Sequence, residues 1–244
     1  MIRRVHVTRL TPGQFPLDPA QAHHIRTVLR LTPGSPVELF DDAGATSAAT
    51  VVMVTPSEVV VDAGIITPAS DHLAVRWTVA SAVPKAARAD WMIEKLSELG
   101  TDLFIPLQTA RSVVHPEGKN KLDRWRRLAL ESAKQSRRPG VMRIEEMQPV
   151  ESLIRSLTHS REHAWYLSTE KNAIPIPAAI THSGPRNLTL LIGPEGGWTN
   201  EEIALFEASA LTAISLTSTI LRTETAAITT AAIIACNFSR VVAK

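Results

Sequence analysis

The chain has 244 residues, of which 44% are hydrophobic and 20% charged, with a formal net charge of +2. That length can bury a sizeable core as one large domain or two smaller ones, and the composition is that of a globular protein, which excludes a mainly disordered chain. A single cysteine, Cys236, excludes an intrachain disulfide framework and any multi-thiolate zinc site.

The apolar neighbours of Cys236 in IIACNF mark it as a small core residue. The N-terminal MIRRVHVTRL lacks the apolar run of a signal peptide, and no stretch reaches the roughly 18 apolar residues of a membrane span. The expectation is a soluble, cytoplasmic protein. Charge is uneven: residues 111 to 143 carry ten Lys or Arg against three acids, and residues 1 to 30 carry five Arg against one Asp. A basic zone on a nearly neutral protein points to a polyanion bound on one face, with a solvated helix face as the plain alternative.

In chain order, VHVTR alternates, and VELF, ATVVMV and EVVV are short β-branched runs separated by turn signals. One helix stands among them, Pro19 to Leu31, with Asp18 as N-cap and proline at its first position. Short strands at this spacing predict a small barrel over residues 1–70. Residues 62 to 72 read as a linker, and from residue 73 to 244 strands alternate with helices, the pattern of a parallel sheet covered on both faces. The strands are LAVRWTVASAV, LFIPL, AWYL, LTLLI and AISL, with a short run at Val141 to Ile144. The helices cover Ala86 to Leu99, Asn120 to Arg137, Val150 to Thr158, a segment from Asn200, and a last one ending at Ser239. Thr199 with Glu202 three residues on is a capping box. The last helix, AAITTAAIIACNF, is small or apolar on nearly every face, which predicts burial all round, naturally against a second copy of the chain.

Two loops follow strands about two dozen residues apart. GPEGG at Gly193 to Gly197 lacks both the G-x-G-x-x-G spacing and the GK[ST] ending of nucleotide loops, and it carries an acid, Glu195. It is either a ligand loop suited to a cationic or hydroxyl-rich ligand or a tight structural turn. ILRTETAA places Arg222 and Glu224 among threonines at a helix start. Glu224 suits the helix dipole there, whereas Arg222 has no such local reason. His23 and His24 lack a third ligand at metal spacing, no G-x-S-x-G elbow occurs, and no metal is expected.

These segments together carry a resemblance. HHIRTVLRLTPG (His23 to Gly34), KAARADWMIEKLSELG (Lys85 to Gly100), ARSV (Ala110 to Val113), ALESAKQSRRPGV (Ala129 to Val141), IGPEGGW (Ile192 to Trp198) and ILRTETA (Ile220 to Ala226) occur in this order. The set resembles the knotted, S-adenosylmethionine-dependent RNA methyltransferases of the SPOUT superfamily. Within it the match is to the ribosomal RNA small subunit methyltransferase E family, which methylates N3 of one uridine in 16S rRNA. The chain departs from the family at Thr217, usually glycine there, and at Thr219, usually a longer polar residue.

The resemblance implies an α/β fold: a SPOUT-type parallel sheet with a C-terminal trefoil knot, preceded by a PUA-like β-barrel. It also implies a homodimer joined through the C-terminal helix region, acting on 16S rRNA in the small ribosomal subunit. On that basis S-adenosylmethionine is held by Leu167, Gly193, Pro194, Glu195, Gly196, Leu216, Ile220, Leu221, Arg222 and Thr223. Arg222 stabilises the developing uracil oxyanion, and Glu224 or Glu195 is the base, a choice the sequence leaves open. Arg3, Arg4, Arg9, His24, Arg26, Arg30, Arg111, Lys134, Arg137 and Arg138 are the candidates for the RNA path. Competing readings are a knotted tRNA methyltransferase and a non-catalytic RNA-binding or ribosome assembly protein.

Overall fold

The computed structural model describes residues 2–69, 75–114, 119–160, 162–181 and 187–238. The chain divides into two units, residues 1–71 with 130–141, and residues 72–129 with 142–244.

The first unit contains β1 (Arg3–His6), β2 (Gly13–Pro16), α1 (Pro19–His23), β3 (Pro36–Phe40), β4 (Thr46–Val54) and β5 (Val59–Thr67). They form a five-stranded sheet in the order β1-β3-β4-β5-β2, antiparallel except for β1 against β3. Register shifts in β4 at Ser47/Ala49 and Val51/Met53 mark bulges, which bend and twist a strand. Alternation turns Val37, Leu39, Val51, Val59 and Val61 into one core. The Asp18 carboxylate caps α1, accepting from the amides of Ala20 and Gln21 at 2.9 Å each. The expected helix does not continue regularly to Leu31. It widens into a π turn over His24–Leu29 and stops at Arg30, whose φ of 51° breaks the helix. The expected linker also yields ground: β5 runs to Thr67, because Ala63 pairs with Gly13 and Ile66 with Ser47. Residues 70–72 of that stretch lie outside the described residues.

The second unit begins with β6 (Arg76–Ala82), α2 (Ala87–Glu98), β7 (Leu103–Gln108) and α3 (Lys119–Ser136), whose last turns, from Leu130, are assigned to the first unit. Then come β8 (Arg143–Ile144), β9 (Gln148–Pro149), α4 (Val150–Ser160), β10 (His163–Leu167), β11 (Ile174–Pro175), α5 (Ile176–Thr181), β12 (Asn187–Ile192), α6 (Asn200–Ala208), β13 (Thr212–Ser215) and α7 (Thr223–Phe238). The sheet is parallel throughout, in the order β11-β13-β10-β12-β6-β7-β8, with β9 also on β7. Sequence patterning misses β2, β9, β11 and α5, which are too short to show a period. One face packs Ala80, Ile105, Leu107, Ala164, Tyr166 and Leu191 under α4 and α6. On the other, α2 packs on α7, and α7 on β6 and β12.

The register fixes where a ligand can enter. Ile192 of β12 pairs with Ser81, Leu167 of β10 with Ile214, and Ser215 of β13 with Pro175. Adjacent strands β13, β10 and β12 therefore end together, and the three loops that follow them open on one edge, where parallel sheets bind ligands. Among the described residues no helix is long and apolar enough to cross a membrane.

One expectation is overturned. Cys236 is exposed, because α7 buries Ala226, Ala227, Thr230, Ala231 and Ile234 and turns the opposite face outward. A run of apolar residues in a helix says nothing about which of them reaches the core.

Candidate functional site

Three strand ends and one helix build a cavity of about 370 Å³. The first wall is the end of β10, with Leu167, Ser168, Thr169 and Glu170. The second is Ile192 and the glycine loop, Gly193 to Gly197, with Trp198 and Ile203 behind it. The third is Leu216, Thr217, Thr219, Ile220 and Leu221, followed by Thr223 and Ala226 of α7.

The glycine loop has its shape for identifiable reasons. The Gly197 amide donates to the Pro194 carbonyl at 2.9 Å, closing a tight turn in which Gly197 has a φ of +70°. Gly193 is obligatory through packing: a Cβ there would stand 2.9 Å from Cε2 of Trp198. That indole is only 9% exposed, donates from Nε1 to the Leu167 carbonyl at 2.9 Å, and meets Phe206 edge-on. Trp198 thus joins the first wall to the second. The capping box read from sequence is present, the Thr199 amide donating to Glu202 and the Glu202 amide to Thr199. The other oxygen of that buried Glu202 accepts from the Ala110 amide at 2.9 Å, which anchors the ARSV segment against the loop. The Thr223 hydroxyl donates to the Gly193 carbonyl at 3.2 Å and ties the third wall to the second.

Nine of the ten expected cofactor residues line this cavity: Leu167, Gly193, Pro194, Glu195, Gly196, Leu216, Ile220, Leu221 and Thr223. Arg222 does not. Its side chain is exposed, and its carbonyl accepts from the Ala226 amide in the first turn of α7. A residue between two lining residues at a helix start points the other way, which loop spacing does not reveal. Glu195 lines the cavity with its side chain 61% exposed. Glu224 is buried and does not line it. The two acids share one partner that sequence reading missed: Nη1 of Arg88 in α2 lies 3.0 Å from Glu195 Oε1 and 3.4 Å from Glu224 Oε1. Arg111 belongs to this site as well. Its Nη1 donates to the carbonyls of Gly196 at 2.6 Å and Trp198 at 3.3 Å, so it clamps the loop.

The other predicted RNA contacts lie in the first unit, and several are engaged internally. Arg4 is turned inward, paired with Glu38 at 2.8 Å, stacked 4.0 Å over the Phe40 ring, and donating to the carbonyls of Ala133 and Arg138. Arg26 donates to the carbonyls of Thr55 and Pro56. Lys134 pairs with Glu131, and Arg138 is buried. Arg3, Arg9, Arg30 and Arg137 are exposed, and His24 is half-buried. Burial, aided by nearby Lys134, pushes the His24 imidazole below its ordinary range. No group of three or more metal-ligating side chains occurs among the described residues.

Comparison with known proteins bears on this geometry. A family model described as an RNA methyltransferase domain matches residues 71–235, and one described as an RNA methyltransferase PUA domain matches residues 17–63. The ribosomal RNA small subunit methyltransferase E of Bacillus subtilis is 32% identical over 219 residues, covering 87% of this chain and 86% of that protein.

The chain belongs to the ribosomal RNA small subunit methyltransferase E family.

The Synechocystis protein of that name is 31% identical over 220 residues, covering 86% of this chain and 69% of its own. Among solved structures, the fold matches a ribosomal RNA small subunit methyltransferase E from Neisseria gonorrhoeae bound to S-adenosyl methionine. That match has a TM-score of 0.87 at 21% identity, over 98% of each chain. A Legionella pneumophila putative methyltransferase in complex with the same cofactor matches with a TM-score of 0.84 at 24% identity, over 97% of this chain and 98% of that one.

Proposed function

We propose that the protein uses S-adenosylmethionine to methylate N3 of one uridine in 16S ribosomal RNA. The observation that carries this is the cavity at the ends of β13, β10 and β12, in a chain of this family. Its volume suits a small-molecule ligand. Its walls are apolar at Leu167, Ile192, Leu216, Ile220, Leu221 and Ala226, and its charged lining residues are Glu170, Glu195 and Arg111. The one cation among them is turned to backbone carbonyls, so the field within the cavity favours a positively charged ligand. A sulfonium fits that field, whereas a nucleotide triphosphate does not.

S-adenosylmethionine supplies an electrophilic methyl group and needs no metal to do so. The chain's own residues supply shape, charge and a proton acceptor. Trp198 and the apolar third wall would keep water from a bound donor, and Thr223 and Arg111 fix the glycine loop through its carbonyls. The uridine imide is a weak nucleophile until its proton leaves. Glu195 is the acid placed to take that proton, since it lines the cavity and reaches solvent. Buried Glu224 fixes Arg88 from behind.

RNA would lie along Arg3, Arg9, Arg30 and Arg137, whose phosphate contacts position without reading sequence. A trefoil knot formed by the segments after β12 and β13, and a homodimer through the outward face of α7, complete the reading. That face carries Ile228, Ala232, Ile233 and Cys236, none of them fully buried. The ribosomal substrate implies work in the cytoplasm. Titration calorimetry with S-adenosylmethionine tests the cavity: one site per chain is expected, and no binding would refute it.

A further inference from the structure

A second cavity, of about 90 Å³, adjoins the glycine loop. Pro194, Glu195 and Gly196 line both cavities, as do Arg111 and Thr223, so the two spaces meet at these residues. The remaining walls come from the turn between β6 and α2, including Lys85 and Arg88, and from Ser112, Val113 and Val114. This turn belongs to the KAARADW motif, none of whose residues lines the first cavity. It is strained: Ala86, without being glycine, has a φ of 49°. Strain of this kind persists where surrounding structure enforces it, and it clusters at functional sites.

The second cavity is far below the size of ordinary small-molecule sites, so it takes one planar ring and leaves the rest of the ligand outside. Its chemistry is specific. Valine and proline side chains offer flat apolar contact, and three cations, Lys85, Arg88 and Arg111, line it. Arg88 engages both acids through the same nitrogen, Nη1. Among the described residues its Nε and Nη2 donors carry no protein hydrogen bond. The Oε2 of buried Glu224 has no hydrogen-bond partner among the described residues, and its Oε1 meets Arg88 at 3.4 Å, so the guanidinium is held in place from behind.

We propose that this second cavity receives the base of the acceptor nucleotide, and that Arg88, not Arg222, is the cation facing it. The inference rests on the first cavity being the methyl-donor site. A pyrimidine imide placed here meets Glu195 on the shared wall and Arg88 beside it. The N3–H proton passes to Glu195, the new N3–carbon bond forms as the donor's carbon–sulfur bond breaks, and sulfur keeps that electron pair as a neutral thioether. Negative charge that develops on the ring's carbonyl oxygens is met by the remaining Arg88 donors, the arrangement that lowers such a barrier most.

The test uses the full chain with Arg88→Ala, Arg88→Lys and Val114→Trp, the last filling only the second cavity. S-adenosylmethionine binding is expected to stay within threefold of wild type in all three. Methyl transfer to small ribosomal subunits lacking the modification should fall at least 30-fold in Arg88→Ala and Val114→Trp, and recover in part in Arg88→Lys. Residual activity of Arg88→Ala should keep rising at pH values where wild type has levelled off, because ionisation of the imide in solution replaces the missing cation. Uridine 5′-monophosphate added with S-adenosylhomocysteine should shift the methyl resonances of Val113 and Val114. Wild-type turnover with an unchanged pH profile in Arg88→Ala, or wild-type turnover in Val114→Trp, would overturn the assignment. So would nucleotide-induced shifts at Leu216 and Leu221 in place of the valines. Failure of wild type to bind S-adenosylmethionine would refute the parent reading instead, and the uridine shifts would still decide what the second cavity binds.

Discussion

Replacing Gly193 with alanine adds one carbon to the wall of the first cavity, and the structure says what that carbon meets. It would lie 2.9 Å from Cε2 of Trp198 and 3.2 Å from Cδ2 and Nε1. Carbon pairs settle at about 3.5–4.0 Å, so the indole must retreat by roughly 0.6 Å or more. The indole already packs edge-on against Phe206, and Nε1 is bonded to the Leu167 carbonyl at 2.9 Å. A retreat of that size stretches the bond to the limit of hydrogen bonding. Overpacking costs about 1–3 kcal/mol and the weakened bond about 1 kcal/mol, so Gly193→Ala should lose about 2–4 kcal/mol of stability. Urea unfolding measures that loss, and calorimetry should show weaker S-adenosylmethionine binding, since Trp198 and Gly193 both line the cavity. Trp198→Leu relieves the clash, so the two substitutions together should cost less than the sum of each alone. Gly193→Ala within about 0.5 kcal/mol of wild type, with unchanged cofactor affinity, would refute this account of the loop.

Ala86→Gly should stabilise the protein by about 1 kcal/mol, because relief of the φ of 49° exceeds the added entropy of the unfolded chain; a lowered melting temperature would contradict it. Arg4→Ala should cost about 2–3 kcal/mol in urea unfolding through loss of the Glu38 pair, two carbonyl contacts and the Phe40 stack. Arg9→Ala and Arg30→Ala should leave stability unchanged while weakening RNA binding and flattening its salt dependence, as measured by filter binding at several salt concentrations. His24 is held below its ordinary pKa by burial. The unfolded chain therefore takes up that proton first, and stability should fall as pH drops through about 6.5 towards the lower folded value. In His24→Gln that part of the slope should vanish from melting temperatures measured across the range.

Much of the site is legible in the sequence because its signals are local. The capping box at Thr199 and Glu202, the cap at Asp18 and the strand-loop-helix order around Gly193 each depend on residues a few positions apart, and each is found in place. What escapes the sequence depends on long-range placement. Arg4 and Arg9 look alike in a basic N-terminal run, yet Arg4 closes over Phe40 and Arg9 stays exposed. Arg88 sits more than 100 positions from the acids it joins, so no spacing rule connects them. Arg222 is drawn towards the cavity by its neighbours in the motif and turned from it by the start of α7. Cys236 shows the same limit, since composition gives α7 its apolarity but not its outward face.

Mapping the product decides whether the chain methylates one uridine of 16S ribosomal RNA at N3. Purified protein, S-adenosylmethionine and small ribosomal subunits from a strain lacking this gene should yield one new N3-methyluridine, located by mass spectrometry of 16S rRNA fragments. Methylation confined to transfer RNA, a methyl group on a different atom of the nucleotide, or no transfer at all would contradict it.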